Sequence, residues 1–282
     1  MKTIGFIDYY LSEWHANNYP AWIRKASEQL SEEFVVKYAW AELDVSPVDG
    51  VSTELWCEKH GVTRCGSIDE LCKSADYILI LAPSDPDKHL GYAEAAFKCG
   101  KRTYIDKTFA PDHRTAKRIF DAAERFGTQF FSSSALRYAT ELADIGSAKS
   151  VITTGGGRSL EEYIIHQIEM VVKLIKGKPV RLRVDDAGET QRICSIDFEG
   201  GKKAKMLYAP SYGFTVNVDT EDGGNVYKTI SGDFFSGLIA DILSFYLTGK
   251  PSFDAAETLD VMKIRGKAVQ ALSTPGQWLE ID

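Results

Sequence analysis

Along the first half of the chain, short apolar runs alternate with segments of helical spacing. Residues 3–8 (TIGFID), 34–40, 77–82, 102–106 and 128–133 read as strands, and 17–30, 51–61, 67–75, 86–100 and 113–127 as helices. The run YILILA at 77–82 has no polar alternation, which marks a strand covered on both faces. The helix at 67–75 opens with Ser67 and carries Glu70 three residues on, a capping box. Gly100 stands where the helix over 86–100 should stop. Strands alternating with helices imply right-handed crossovers and a doubly wound parallel sheet.

The second half has a different rhythm. Residues 161–177 form a helical pattern with apolar positions at Ile164, Ile165, Ile168, Val171, Val172 and Ile175. Four alternating segments follow, from VRLRVDDA to GFTVNVDT, with Gly200-Gly201 and Asp222-Gly223 as hairpin signals. Helical patterns over 233–250 and 255–272 close the chain. The expected architecture is α/β: a doubly wound parallel sheet over 1–134, then an α+β domain with a mostly antiparallel open sheet over 135–282.

Composition changes this picture only by exclusion. A formal net charge of −7 with no basic cluster excludes a nucleic-acid surface. No apolar run reaches the roughly 20 residues of a membrane helix. The N-terminal apolar stretch is too short for a signal peptide, and the five cysteines match no metal spacing. The expectation is a cytoplasmic protein with reduced thiols, no metal and no membrane partner.

In an open parallel sheet, ligands bind beyond the carboxyl ends of the strands. Those ends carry Ile7-Asp8-Tyr9, Glu42, Ala82-Pro83-Ser84 and Asp106-Lys107-Thr108. Glu42 is placed either to accept hydrogen bonds from a ribose diol or simply to be solvated at a strand end. Lys107 is either a hydrogen-bond donor to a substrate hydroxyl or a loop lysine. Glu162 and His166 lie four residues apart on one helix face, with Glu169 and Lys173 continuing the stripe. They make either a carboxylate-oriented general base or a solvated face. Gly155-Gly156-Gly157 ahead of that helix reads better as a flexible turn than as an anion site.

With these residues in view, the chain resembles the Gfo/Idh/MocA family of sugar and inositol dehydrogenases along nearly its whole length. The block SIDELCKSADYILILAPSDPDKHLGYAEAAFKCGKRTYIDKTFA looks like the family's central block, with His89, Gly100-Lys101 and Asp106-Lys107-Thr108 in its key places. EYIIHQIEMVVKLIKG resembles its Asp-x-x-x-His helix, with Glu162, or its neighbour Glu161, and His166 in those roles. FFSGLIADILSFYLTGKPSFDAAETLDVMKIRGKAVQAL resembles its C-terminal helix pair. The resemblance implies an NAD-dependent oxidoreductase (NADP fits Glu42 less well) acting on a sugar, polyol or related hydroxy compound, and a homodimer or homotetramer. It implies His166 as the base, Lys107 on the reacting oxygen and Glu162 orienting His166. It places the cofactor over Ile7, Asp8, Tyr9, Glu42, Ala82, Pro83, Ser84, His89, Asp106 and Lys107.

The first turn departs from that pattern. Where the family has Gly-x-Gly-x-x-Gly, this chain has Asp8-Tyr9-Tyr10-Leu11-Ser12-Glu13. Glycines there let the backbone approach a pyrophosphate, whereas Asp8 and Glu13 bring negative charge towards it. Two outcomes follow: a rebuilt ligand loop rich in Tyr9, Tyr10, Trp14, His15 and Tyr19, or a plug over a vacated site. A non-catalytic sensor of a sugar or nucleotide, and a cofactor-assisted hydrolase or lyase, are the rival functions.

Overall fold

In the computed structural model, which describes residues 1–281, the chain forms two units. One comprises Met1–Ser133 and Leu238–Ala255; the other comprises Ser134–Gly237 and the chain from residue 256 onward. The units are therefore discontinuous, unlike the two continuous domains, 1–134 and 135–282, expected from sequence.

The first unit holds β1 (Lys2–Asp8), α1 (Trp14–Leu30), β2 (Phe34–Ala41), α2 (Thr53–His60), β3 (Thr63–Arg64), α3 (Ile68–Ser74), β4 (Tyr77–Ile80), α4 (His89–Phe97), β5 (Thr103–Ile105), α5 (His113–Phe126) and β6 (Phe130–Ser132). All six strands are parallel, in the order β3-β2-β1-β4-β5-β6. The order reverses between β1 and β4, so the crevice beyond their carboxyl ends is the topological switch point. The central strands are buried over most of their length: Ile4, Phe6, Ile78, Leu79 and Ile80 have no exposed surface. Gly5 is required inside β1, because a Cβ there would lie 2.5 Å from the Leu71 side chain.

The return of residues 238–255 to this unit has a visible cause. Tyr246 is fully buried, stacks on Tyr77 at 4.6 Å and donates its hydroxyl to the Ile78 carbonyl at 2.7 Å. Arg102 donates to the Leu247 carbonyl at 3.0 Å.

The second unit contains β7 (Ala148–Gly155), α6 (Leu160–Ile175), β8 (Pro179–Asp186), β9 (Arg192–Phe198), β10 (Lys203–Tyr208), β11 (Thr215–Thr220) and β12 (Asn225–Thr229). It also holds the start of α7 (Phe234–Thr248), nearly all of α8 (Ala255–Ala271) and β13 (Leu279–Glu280). Its seven-stranded sheet runs β12-β11-β7-β10-β9-β8-β13, and the β7–β10 pair alone is parallel among the described residues. In that register, Ala204 faces Ile196 and Met206 faces Cys194, all buried. Helix α6 packs on β7 and β10 and buries Ile164, Ile165, Ile168, Val171 and Ile175.

All five cysteines are unpaired. Among the described residues no helix is long and apolar enough to cross a membrane, and no cluster could hold a metal ion.

Candidate functional site

At the switch point the sequence places a buried polar cluster. Asp8, the last residue of β1, is 1 % exposed. Its Oδ1 accepts the backbone N–H groups of Tyr9 at 2.7 Å and Ala82 at 2.9 Å, while its Oδ2 is buried without a hydrogen bond. Burial, and then the nearby Glu13 carboxylate, push the Asp8 carboxyl well above its ordinary value. Ala82 sits at φ 54°, a left-handed backbone unusual for a residue with a Cβ.

Glu13 settles how the first turn is built. Helix α1 begins at Trp14, earlier than its apolar spacing indicates, because Glu13 is its N-cap. The Glu13 carboxylate accepts the backbone N–H of His15 at 2.7 Å and that of Ala16, and lies 3.3 Å from His15 Nδ1. Only 7 % of that side chain is exposed. The first N–H groups of a helix are the ones that would receive an anion, and here a protein carboxylate holds them. Leu11 is buried beneath the turn, and Ser12 donates to Asp49 at 2.7 Å.

The other strand-end residues are likewise engaged. Glu42 receives a hydrogen bond from Lys88 and one from the Tyr92 hydroxyl at 2.7 Å; the Lys88 contact chiefly holds its carboxyl below the ordinary value. The Lys88 ammonium also lies over the Tyr9 ring, 4.6 Å from its centre. Lys107 donates to the Pro83 carbonyl at 2.9 Å and lies 3.6 Å from Asp106 Oδ2. Burial alone would raise the Asp106 carboxyl, but His15, Lys107 and His89 together hold it below its ordinary value. Tyr19, fully buried, is pushed well up by burial and by Asp106. Ile7 is buried in the strand, Pro83 is half-buried and Ser84 is exposed.

His89, expected at the cofactor, has no exposed surface. Its Nε2 lies 2.5 Å from the Leu81 carbonyl and its Nδ1 3.1 Å from that of Phe109. It ties the β4 exit to the chain beyond β5 and is structural.

These residues do not fit a dinucleotide pyrophosphate laid over the start of α1. The His15 and Ala16 N–H groups are taken, no glycine opens the turn, and the Glu13 carboxylate would face the anion. The acidic residue suited to a ribose diol is already bonded to Lys88 and Tyr92.

In the second unit, Ser159 caps α6 and accepts the Glu162 N–H at 3.3 Å. Glu162 pairs with Arg158 at 2.5 Å, one turn back, while the Glu161 side chain is exposed. His166 Nδ1 lies 2.7 Å from the hydroxyl of Ser134, a partner with no local sequence signal. Ser134 in turn donates its N–H to Glu169 at 3.0 Å, and Glu169 pairs with buried Arg137 at 3.1 Å. The rings of Tyr163 and Phe214 lie 5.7 and 5.8 Å from the His166 ring, edge-on. On the other face of the sheet, away from α6, the hydroxyls of Thr154 and Thr215 meet at 2.7 Å. The triple glycine is a packing device rather than a flexible turn. A Cβ at Gly156 would lie 2.1 Å from the Ala209 carbonyl, and one at Gly157 would lie 2.2 Å from the Tyr163 ring.

No family model matches the sequence, and no curated protein matches it. Solved structures do. A myo-inositol dehydrogenase from Lactobacillus casei, in complex with NAD(H) and myo-inositol, has a TM-score of 0.81 at 12% identity, over 100% of this chain and 97% of that one. A probable dehydrogenase from Thermotoga maritima gives 0.78 at 11%, over 99% and 98%. A myo-inositol 2-dehydrogenase from Lactobacillus plantarum gives 0.77 at 14%, over 100% and 99%. At such identities the shared property is architecture: this chain has the fold of the inositol and sugar dehydrogenases.

Proposed function

We propose that this protein is a ligand-binding member of the dehydrogenase fold, one that takes a hydroxylated, sugar-like molecule and does not drive NAD-linked hydride transfer. The observation that carries this reading is the Glu13 carboxylate on the N-terminal amides of α1. With the His15 and Ala16 N–H groups already bonded from within, the helix start has fewer donors for a diphosphate, and the Glu13 carboxylate there opposes the charge. The sugar class is supported by the second unit, where the half-buried His166 imidazole meets the Tyr163 and Phe214 rings edge-on. Such groups suit the C–H faces and hydroxyls of a carbohydrate.

A second reading, an NAD(P)-dependent oxidoreductase of sugars or polyols, is favoured by Lys107 beside Asp106 at the end of β5. There the ammonium would hydrogen-bond a substrate oxygen and hold developing charge.

Calorimetric titration with NAD, NADP and their reduced forms separates the two. The binding reading expects no heat of complexation with any of the four, and no change in nicotinamide absorbance with a panel of sugars and inositols. Saturable binding of a dinucleotide, with turnover lost in Lys107→Ala, would establish the oxidoreductase instead.

A further inference from the structure

We infer that Ser134 fixes the tautomer of His166, so that the neutral imidazole accepts a hydrogen bond at Nδ1 and carries its proton at Nε2. Ser134 is a positioning residue in this assignment.

The argument begins with the serine. Ser134 is the N-cap of a short 3-10 helix over Ala135–Tyr138, and its Oγ accepts the Leu136 N–H at 3.3 Å. A hydroxyl that accepts on its oxygen is polarised and becomes a better donor through its own proton. His166 Nδ1 lies 2.7 Å from that oxygen, a short O–H···N contact. The hydroxyl is also held in place. Its backbone N–H donates to Glu169 Oε1 at 3.0 Å, and Glu169 is fixed by Arg137 at 3.1 Å, all buried. Ser134 and Glu169 have 0 % and 3 % of their surface exposed, so bulk water does not compete for the contact. Glu162, the carboxylate expected to orient His166, is paired with Arg158.

A hydroxyl at Nδ1 gives the imidazole a different role from a carboxylate there. A carboxylate at Nδ1 accepts the Nδ1 proton and leaves a basic lone pair on Nε2. A hydroxyl donating to Nδ1 leaves Nε2 as an N–H. In this tautomer Nε2 is a donor, so any ligand atom that meets it is an acceptor oxygen: a hydroxyl, carbonyl or carboxylate. This consequence for the ligand rests on the binding reading above; the tautomer itself does not.

The test is long-range proton–nitrogen correlation NMR on the full chain labelled with nitrogen-15 histidine, without ligand, at about pH 8.5, where an ordinary imidazole is neutral. The His166 signals are those missing from His166→Gln. The expected spectrum has an unprotonated Nδ1 and a protonated Nε2. Ser134→Thr should keep this pattern, and Ser134→Ala should convert it to a mixture of tautomers. A protonated Nδ1 in the wild-type protein, or an unchanged pattern in folded Ser134→Ala, overturns the assignment. The wild-type spectrum decides even where the alanine variant fails to fold. If no sugar binds while the spectrum is as expected, the functional reading fails and the tautomer stands.

Discussion

Asp8 accepts the backbone N–H of Ala82 at 2.9 Å, joining the end of β1 to the residue where the chain leaves β4. That contact holds Ala82 in its left-handed conformation and puts a carboxyl group, buried and beside Glu13, at the centre of the switch point. An acid whose folded-state pKa is raised keeps a proton that the unfolded chain releases. Stability is then full below the ordinary carboxylate range and falls as pH climbs towards the raised value. Asp8→Asn keeps the acceptor oxygen and removes the titration. The two melting curves should nearly coincide at about pH 4 and separate in favour of Asp8→Asn by about pH 8. Parallel curves across that range would show that Asp8 does not hold a proton in the folded protein.

Glu13 is a cap and a plug at once, and the two roles can be read from one variant. Glu13→Ala removes the acceptor from the N–H groups of His15 and Ala16, at a cost of about 1 kcal/mol. The same N–H groups then become available to an added anion. Inorganic pyrophosphate should restore part of the lost melting temperature in Glu13→Ala and leave the wild-type protein unmoved, with chloride at matched ionic strength as the control. Equal responses of the two proteins would show that the carboxylate does not occupy an anion site.

Strand existence was largely legible in the first half because periodicity is a local property. YILILA reads as a doubly covered strand, and β4 lies in the middle of the sheet. The start of α1 was not legible. Glutamate is not among the usual N-cap residues, and Trp14 and His15 fall outside the apolar spacing. Strand β7 was missed because its last residue opens the triple glycine, whose need for close packing against Ala209 and Tyr163 is visible only in three dimensions. At the candidate site, helical spacing points to Glu162 as a neighbour of His166 but carries no signal for Ser134, which reaches it from 32 residues away. Likewise no local pattern joins Tyr246 to Ile78, the contact that returns the chain to its first unit.

His89 has both ring nitrogens on backbone carbonyls, so its removal is a stability experiment rather than a binding one. The neutral ring donates a single N–H, so His89→Leu strands one of the Leu81 and Phe109 carbonyls in a buried region, at a cost of about 1–3 kcal/mol. Burial holds the His89 pKa below its ordinary value, so the folded protein carries it neutral. Its contribution is present above the ordinary imidazole range and is lost as pH falls through the depressed value. Denaturant titrations of wild type and His89→Leu should therefore converge on acidification. A variant as stable as wild type at neutral pH would remove His89 from the structural role assigned to it.

Arg137 and Glu169 form the ion pair on which the Ser134–His166 contact stands, and their burial makes the pair asymmetric to mutation. Burial raises the Glu169 carboxyl, and the Arg137 guanidinium and the Ser134 N–H oppose that rise. Arg137→Met leaves the carboxylate buried without its counter-charge, which costs about 3–5 kcal/mol. Glu169→Leu alone strands the guanidinium, although Glu257 still pairs with it, so its cost should be smaller. With both groups removed, neither charge is left uncompensated, and the double variant should be clearly more stable than the sum of the single losses indicates. Urea unfolding of the four proteins measures the coupling. Strictly additive losses would mean that Arg137 and Glu169 act independently, and that Ser134 is held by its own helix cap rather than by the ion pair behind it.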